Sequence, residues 1–212
     1  MYVPAAFRDD SLPSLHEFLR AYSFATLVSR LEGELFATHV PLLLNTERGP
    51  MGSLMGHMAR ANPHWHAFEN ASESEETLAI FHGPHAYISP RWYVARTAVP
   101  TWNYAAVHAY CRPRLLETDA ELLEVLTRTA RYFEGEVEER WDPAAQPDGF
   151  LDSLLPGIVG FELQIARLEG KRKLSQNRSE ADRRSVVDAL SSSLSPHDQE
   201  VAALMRERLE AS

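Results

Sequence analysis

The spacing of apolar and polar positions divides the chain into helices and strands before any single residue suggests a chemistry. Leu12, Leu15, Phe18 and Leu19 fall on one helical stripe through LPSLHEFLRAY, and Asp10 or Ser11 stands ready to cap it. FATLVSRLEGELFATHVPLLL reads as two strands joined at a Glu32-Gly33 hairpin turn. The near-continuous apolar stretch from Val40 to Leu44 predicts a strand buried on both faces. Asn45 to Gly52 is turn material, and SLMGHMA is a third strand. NPHWHAF predicts a short helix capped by Asn62, with Pro63 at its first position. ASESEE reads as an exposed acidic connection and TLAIFHG as another strand. YISPRWY, interrupted by Pro90, is irregular or lies at an edge.

VPTWNYAAVHAYCRPR, residues 99–114, carries more aromatic residues than an ordinary strand needs. With a side-chain period of two, Trp102, Tyr104, Ala106, His108 and Tyr110 share one face, and Asn103, Ala105, Val107, Ala109 and Cys111 share the other. The first face is broad and polar-tipped. The second is small, suited either to packing against a sheet or to leaving room for something flat. The clearest helix follows, from Thr118 to about Glu139, with Thr118 and Glu121 at capping-box spacing and Leu122, Leu123, Val125, Leu126, Tyr132 and Phe133 as its apolar face. DGFLDSLLP is a short helix closed by Pro156. GIVGFELQIARLEG is a strand with Phe161, Leu163, Ile165 and Arg167 on one side. Two helices end the chain, Ser179 to about Leu190 and Pro196 to about Glu210. The pattern predicts an α+β fold: a mostly antiparallel barrel with peripheral helices and a C-terminal helical pair.

Composition narrows the function classes. The 212 residues are enough for one substantial domain, and 44% hydrophobic content supports a real core. A formal charge of −9 disfavours broad adhesion to nucleic acid or anionic lipid. The single cysteine, Cys111, excludes an internal disulfide and suits a reducing compartment. No apolar run is long enough to span a bilayer, and MYVPAAFRDD lacks a signal-peptide pattern, so a cytoplasmic location without membrane attachment is expected.

Nine histidines invite a metal reading. His64 and His66 miss the i, i+4 spacing that places two imidazoles on one helical face, and Cys111 lies far from both, so no metal is expected. Nucleophile-elbow, Walker and dinucleotide-binding patterns are absent from the sequence. In the tail, Asp198 and Glu200 stand at the start of the last helix, where a DNA-recognition helix meets phosphates, so packing or dimerisation is the better use of the pair. GKRKLSQNRSEADRR, by contrast, concentrates Lys171, Arg172, Lys173, Arg178, Arg183 and Arg184 beside a helix start, a natural seat for phosphate.

The blocks GSLMGHMARANPHW, FHGPHAYISPRWY, VPTWNYAAVHAY and EGKRKLSQNR, in this order, resemble the PaiB family of flavin-mononucleotide-binding negative transcriptional regulators. The resemblance runs from MYVPAAF to about Leu190, with Cys111 where a glycine is usual. It implies a split β-barrel and a homodimer with FMN near the subunit interface; along this chain the barrel is expected over residues 1–178, with a helical extension at 179–212 packed on the same domain. A flavin needs packing surfaces for its ring, amides for its pyrimidine edge and cations for its phosphate. Trp102 and Asn103 are expected to supply packing and an amide. His57, Arg60 and Asn62 supply polar contacts, with Lys173 and Gln176 as additions, and Arg60 leads at the phosphate. Promoter DNA is expected to bind weakly through 171–184, or indirectly. A flavin-dependent oxidoreductase and a haem-binding split barrel are the alternatives.

Overall fold

A computed structural model describes residues 1–69, 71, 75–95, 97–135, 137, 141–147 and 149–210. Strands β1 (Arg8–Asp9), β2 (Phe24–Leu31), β3 (Glu34–Pro41), β4 (Leu43–Asn45), β5 (Ser53–Ala59), β6 (Thr77–Ile88), β7 (Thr101–Leu115) and β8 (Ile158–Lys173) form one sheet. Its order is β3-β2-β6-β7-β8-β5-β4, with β1 added to β8. Around it lie α1 (Leu12–Ala21), α2 (His66–Glu69), α3 (Asp119–Glu134), α4 (Phe150–Leu154), α5 (Glu180–Ser191) and α6 (Pro196–Glu210). The expected α+β class and antiparallel pairing are both present.

Most elements form where the pattern placed them. Glu32 and Gly33 both take positive φ, 53° and 86°, at the β2–β3 turn, which matches the twist of the flanking strands. Asn62 accepts from the His64 amide with Pro63 behind it, and Thr118 and Glu121 close a reciprocal capping box. Four readings are corrected. Val40–Leu44 is not one strand: Pro41 ends β3, Leu42 turns to donate to the Ser23 carbonyl, and β4 starts afresh at Leu43. β6 continues five residues past TLAIFHG, because two successive buried residues, Gly83 and Pro84, slip the alternation and let the strand pass its proline. β8 runs three residues beyond GIVGFELQIARLEG, to Lys173. α3 stops at Glu134, where Gly135 adopts φ 71°, rather than near 139, and the remainder of that expected helix (136, 138 and 139) lies outside the described residues. Ser72, Glu73 and Ser74 of the acidic connection also lie outside them.

The chain divides into two compact units. One comprises Met1–Phe18, His82–Val107 and Glu169–Ser212, and the other Leu19–Phe81 and His108–Leu168. In the first, β6 and β7 meet the C-terminal pair. Ile88, Val186, Leu190, Val201 and Met205 are sealed from solvent at its centre, so α5 and α6 complete this core rather than decorate it. β1 pairs with β8 at Asp9 and Gly170, and Arg172 clamps the same edge through Asp9 (2.8 Å) and Ser14 (3.0 Å). In the second unit, Leu27, Leu54, Phe161 and Leu163 are fully buried, and Phe68 meets Phe161 edge-on at 5.3 Å. There the buried Glu162 carboxylate accepts from Ser53 (2.7 Å), Arg48 (2.9 Å) and Arg114 (2.9 Å).

Gly170 shows how tightly the β1 edge is built. A Cβ there would lie 2.7 Å from the Asp9 carbonyl oxygen and 2.3 Å from a Leu15 methyl. Backbone cannot yield as a side chain does. Gly170→Ala is therefore expected to destabilise the protein by about 1–3 kcal/mol, read as a lowered urea midpoint with unchanged cooperativity. An unchanged midpoint would show that β1 is not held in this register.

Candidate functional site

Strand β7 separates its two faces as its alternation requires. Asn103, Ala105, Val107, Ala109 and Cys111 are all buried, while Trp102 stays about half exposed, at 51%. The small face therefore packs into the protein. The aromatic face is covered in places by cations: Lys171 lies 5.1 Å from the Tyr104 ring, and in the other unit Arg167 lies 3.5 Å from that of Tyr110. Trp102 borders His85 (5.7 Å) and Tyr87 (6.2 Å), and His85 stacks on His197 of α6 at 4.9 Å. Burial, and secondarily the Glu76 charge, push the Cys111 thiol up, so it is an inert packing residue.

At the start of β7 the first unit holds a polar cavity of about 190 Å³, lined by Tyr93, Thr101, Asn103, Lys173, Ser175 and Arg178 among others. Asn103 organises it. Its amide nitrogen donates to Ser175 Oγ (2.9 Å) and lies 3.3 Å from Met205 Sδ, and Ser175 Oγ lies 3.2 Å from its amide oxygen. That grip holds Ser175 in the left-handed region at φ 62°, uncommon for a residue with a Cβ. The turn closes with the Arg178 amide donating to the Ser175 carbonyl at 2.9 Å. Gln176 folds back on the same turn, accepting from the Leu174 amide and donating to the Arg172 carbonyl.

The cavity is cationic. The Lys173 ammonium donates to Thr101 Oγ1 and to the Trp102 carbonyl, leaving one of its three N–H groups. Burial first, and the neighbouring Lys171 charge second, push its pKa down, and a nearby anion would oppose that shift by favouring the charged ammonium. Arg178 lies over the Tyr93 ring at 4.7 Å. The Tyr93 hydroxyl is buried with no hydrogen-bond partner among the described residues. The loop before β7 is pinned by Asp182, whose carboxylate accepts from the amides of Val94 (2.8 Å) and Ala95 (3.0 Å).

Trp102, Asn103, Lys173 and Gln176 of the sequence-based set thus gather in one unit, and His57, Arg60 and Asn62 lie in the other. Arg60 donates to the carbonyls of Pro156 (2.7 Å) and Ile158 (3.0 Å) and lines a separate cavity with Glu117, Asp119 and Asp152, an unfavourable surrounding for an anion. Asn62 is used at both ends, capping His64 and donating to Thr38 at 3.1 Å. Lys173 and Arg178 line the cavity at the start of β7, and Arg60 lines the other one. Tyr93 and Asp182 were missed, since nothing local in the sequence distinguishes a tyrosine after a proline turn or an acidic first-turn residue. Arg178 was visible only as one charge of a basic run. Of that run, Lys171 is buried and donates to the Tyr2 carbonyl, Arg172 pairs with Asp9, and Arg184 pairs with Glu180 at 2.7 Å. Much of its charge is spent within the chain.

Comparison with known proteins bears on this geometry. Residues 1–167 match the family described as "Putative FMN-binding domain". "Protease synthase and sporulation protein PAI 2" of Bacillus subtilis is 38% identical over 211 residues, covering 99% of this chain and 98% of that protein. Among solved structures, the flavocytochrome Anf3 of Azotobacter vinelandii aligns at TM-score 0.60 and 17% identity, covering 78% of this chain and 69% of its own. The "FAD and Heme binding protein" of Mycobacterium smegmatis aligns at 0.57 and 16%, covering 78% and 73%. These structures share the split-barrel fold.

His64 gives the second unit a measurable property. Its side chain is fully enclosed, with Nδ1 2.8 Å from Thr38 Oγ1, Phe36 and Phe68 against the ring at 5.3 and 5.4 Å, and Nε2 without a hydrogen-bond partner among the described residues. Burial pushes its pKa from 6.5 down to about 4. The unfolded chain therefore takes up the proton first. Stability is complete above the unfolded value and drains as pH falls from about 6.5 toward 4. His57, also lowered by burial, acts in the same sense. The urea midpoint is expected to fall across this window and to fall less in His64→Leu. Equal slopes for the two proteins would remove His64 from the account.

Proposed function

The chain belongs to the FMN-binding family, and from that premise we propose that it is a flavin-holding, homodimeric negative transcriptional regulator of the PaiB kind. The observation that carries this reading is the whole-length likeness to the Bacillus relative, which includes the residues after 167 where the FMN-binding match stops. A shared C-terminal extension implies shared use of α5 and α6, beyond cofactor binding alone.

The residues present fit the cofactor. Lys173, Arg178 and the unpartnered Tyr93 hydroxyl form a donor set suited to a phosphate dianion, and charge-assisted bonds there are about twice as strong as neutral ones. Trp102, with Tyr87 and His85 beside it, offers an exposed aromatic surface for the ring. When bound, FMN would supply a redox-active ring. Asn103 and Gln176 are positioning residues in this reading: they hold the turn that presents Arg178 and Ser175. Asn62 and Arg60 shape the segment after β5, and His57, kept neutral by burial, contributes polarity without charge.

DNA contact through 171–184 is expected to be weak and directed at phosphates, since few of its cations remain uncommitted. A flavin-dependent oxidoreductase is the competing reading, and NAD(P)H-dependent flavin reduction by the purified protein would favour it. A Soret band after reconstitution with haemin, without flavin uptake, would favour the haem-binding one.

Calorimetric titration with FMN and riboflavin separates the phosphate from the ring. Lys173→Ala is expected to weaken FMN by about 1.5–3 kcal/mol, roughly ten- to a hundredfold, and riboflavin hardly at all. Arg178→Ala should act in the same direction, and Arg60→Ala should lower stability more than it lowers FMN preference. Equal losses for both ligands in Lys173→Ala would exclude the cavity as the phosphate seat. Light scattering of the FMN-loaded protein should read a dimer, and a monomer with and without FMN would overturn the assembly.

A further inference from the structure

A further cavity lies within the unit formed by Leu19–Phe81 and His108–Leu168, and none of the residues assigned to the flavin lines it. It measures about 270 Å³, and its lining includes Arg20, Leu42, Leu43, Met55, Arg128 and Tyr132. Its floor is apolar: Leu42 is fully buried, and Leu43 and Met55 nearly so. Two exposed arginines, Arg20 and Arg128, complete its lining. Arg128 reaches back over the floor, its guanidinium 3.7 Å from Met55 Sδ. Its other nitrogen pairs with Glu124 at 3.0 Å, an exposed i, i+4 contact of little strength that an incoming carboxylate can displace. Arg20, in the last turn of α1, is exposed and has no ion pair among the described residues. The Tyr132 hydroxyl donates to the Arg20 carbonyl, which ties the end of α3 to the end of α1, and both arginines line the cavity.

Apolar depth beneath paired, incompletely neutralised cations is the complement of one ligand class. We infer that this cavity binds an amphipathic monocarboxylate, an acyl-chain or arylalkyl acid whose body enters among Leu42, Leu43 and Met55 while its carboxylate bridges Arg20 and Arg128. Guanidinium recognises carboxylate through a planar two-toothed fork, and the apolar body supplies the remaining affinity by burial. A neutral alcohol of equal length forfeits the rim contacts. An amine meets two like charges. Acetate has nothing to bury. The site needs no flavin and stands whether or not the cofactor reading holds. In a ligand-responsive protein it would act as an effector site, with α1 and α3 as the elements that sense occupancy.

Octanoate is the probe, titrated against the full chain with and without added FMN and followed by ligand-observed NMR and thermal shift. Saturable binding and a raised melting temperature are expected with octanoate, and not with octylamine or acetate. The double variant Arg20→Ala/Arg128→Ala, both positions exposed, should keep its unliganded melting temperature and bind octanoate roughly ten- to a hundredfold more weakly. Leu43→Trp, which fills the floor, should abolish binding. Undiminished octanoate binding by the double variant, equal binding of octylamine, or no binding at millimolar octanoate would each overturn the inference. So would dissociation of an octanoate-indifferent dimer by Leu43→Trp, because a second copy of the chain would then be the occupant.

Discussion

A primary amide buried at zero exposure has to find hydrogen-bond partners inside the protein, and the way Asn103 does so organises the first unit. Its partners come from distant parts of the chain, Ser175 after β8 and Met205 in α6. Satisfying one side chain therefore places a turn and a helix. The turn in turn carries Ser175 in a left-handed conformation, and with it Arg178 at the wall of the cationic cavity. Remove the amide, and the hydroxyl of Ser175 loses the group that offsets its backbone strain. The cavity, the loop held by Asp182 and the helical pair share this dependence because they share one core.

Much of this architecture was legible in the chain, for reasons that differ by element. The β2–β3 hairpin, the Asn62 cap and the Thr118 capping box are local: each needs only neighbouring residues, so the sequence carries the whole instruction. The break at Pro41 and the passage of β6 through Pro84 depend on what lies beside the strand, which periodicity does not contain. The candidate site shows the same division. Trp102 and Lys173 were singled out by what a flavin requires together with the family-like blocks that contain them. The work of Asn103 points inward rather than toward a ligand, and Tyr93 gains interest only because its hydroxyl is stranded by tertiary burial.

Charge follows a related rule. The run from Lys171 to Arg184 stands out in a chain of net charge −9, which suggests an outward electrostatic surface. Folding instead spends these groups on Asp9, Tyr2, Thr101 and Glu180. The other unit makes the same use of Arg48 and Arg114, which surround the buried Glu162. Neutralising a carboxylate away from water takes several donors, and the Ser53 hydroxyl completes the set. A count of cations along a sequence therefore overstates the field a partner would meet.

The pairing of Arg8 and Asp9 with Lys171 and Gly170 has a consequence for how the chain is made. During translation the opening segment leaves the ribosome well before its partner strand has been synthesised. For most of that time β1 has no edge to join, and Asp9 has no Arg172 to meet. The first residues must remain solvated while the intervening sheet assembles, and the short length and charge of Arg8-Asp9 suit that wait. Closure of this edge is thus a late step in biogenesis, and a nascent chain stalled before residue 170 would hold most of its strands and still lack its seam.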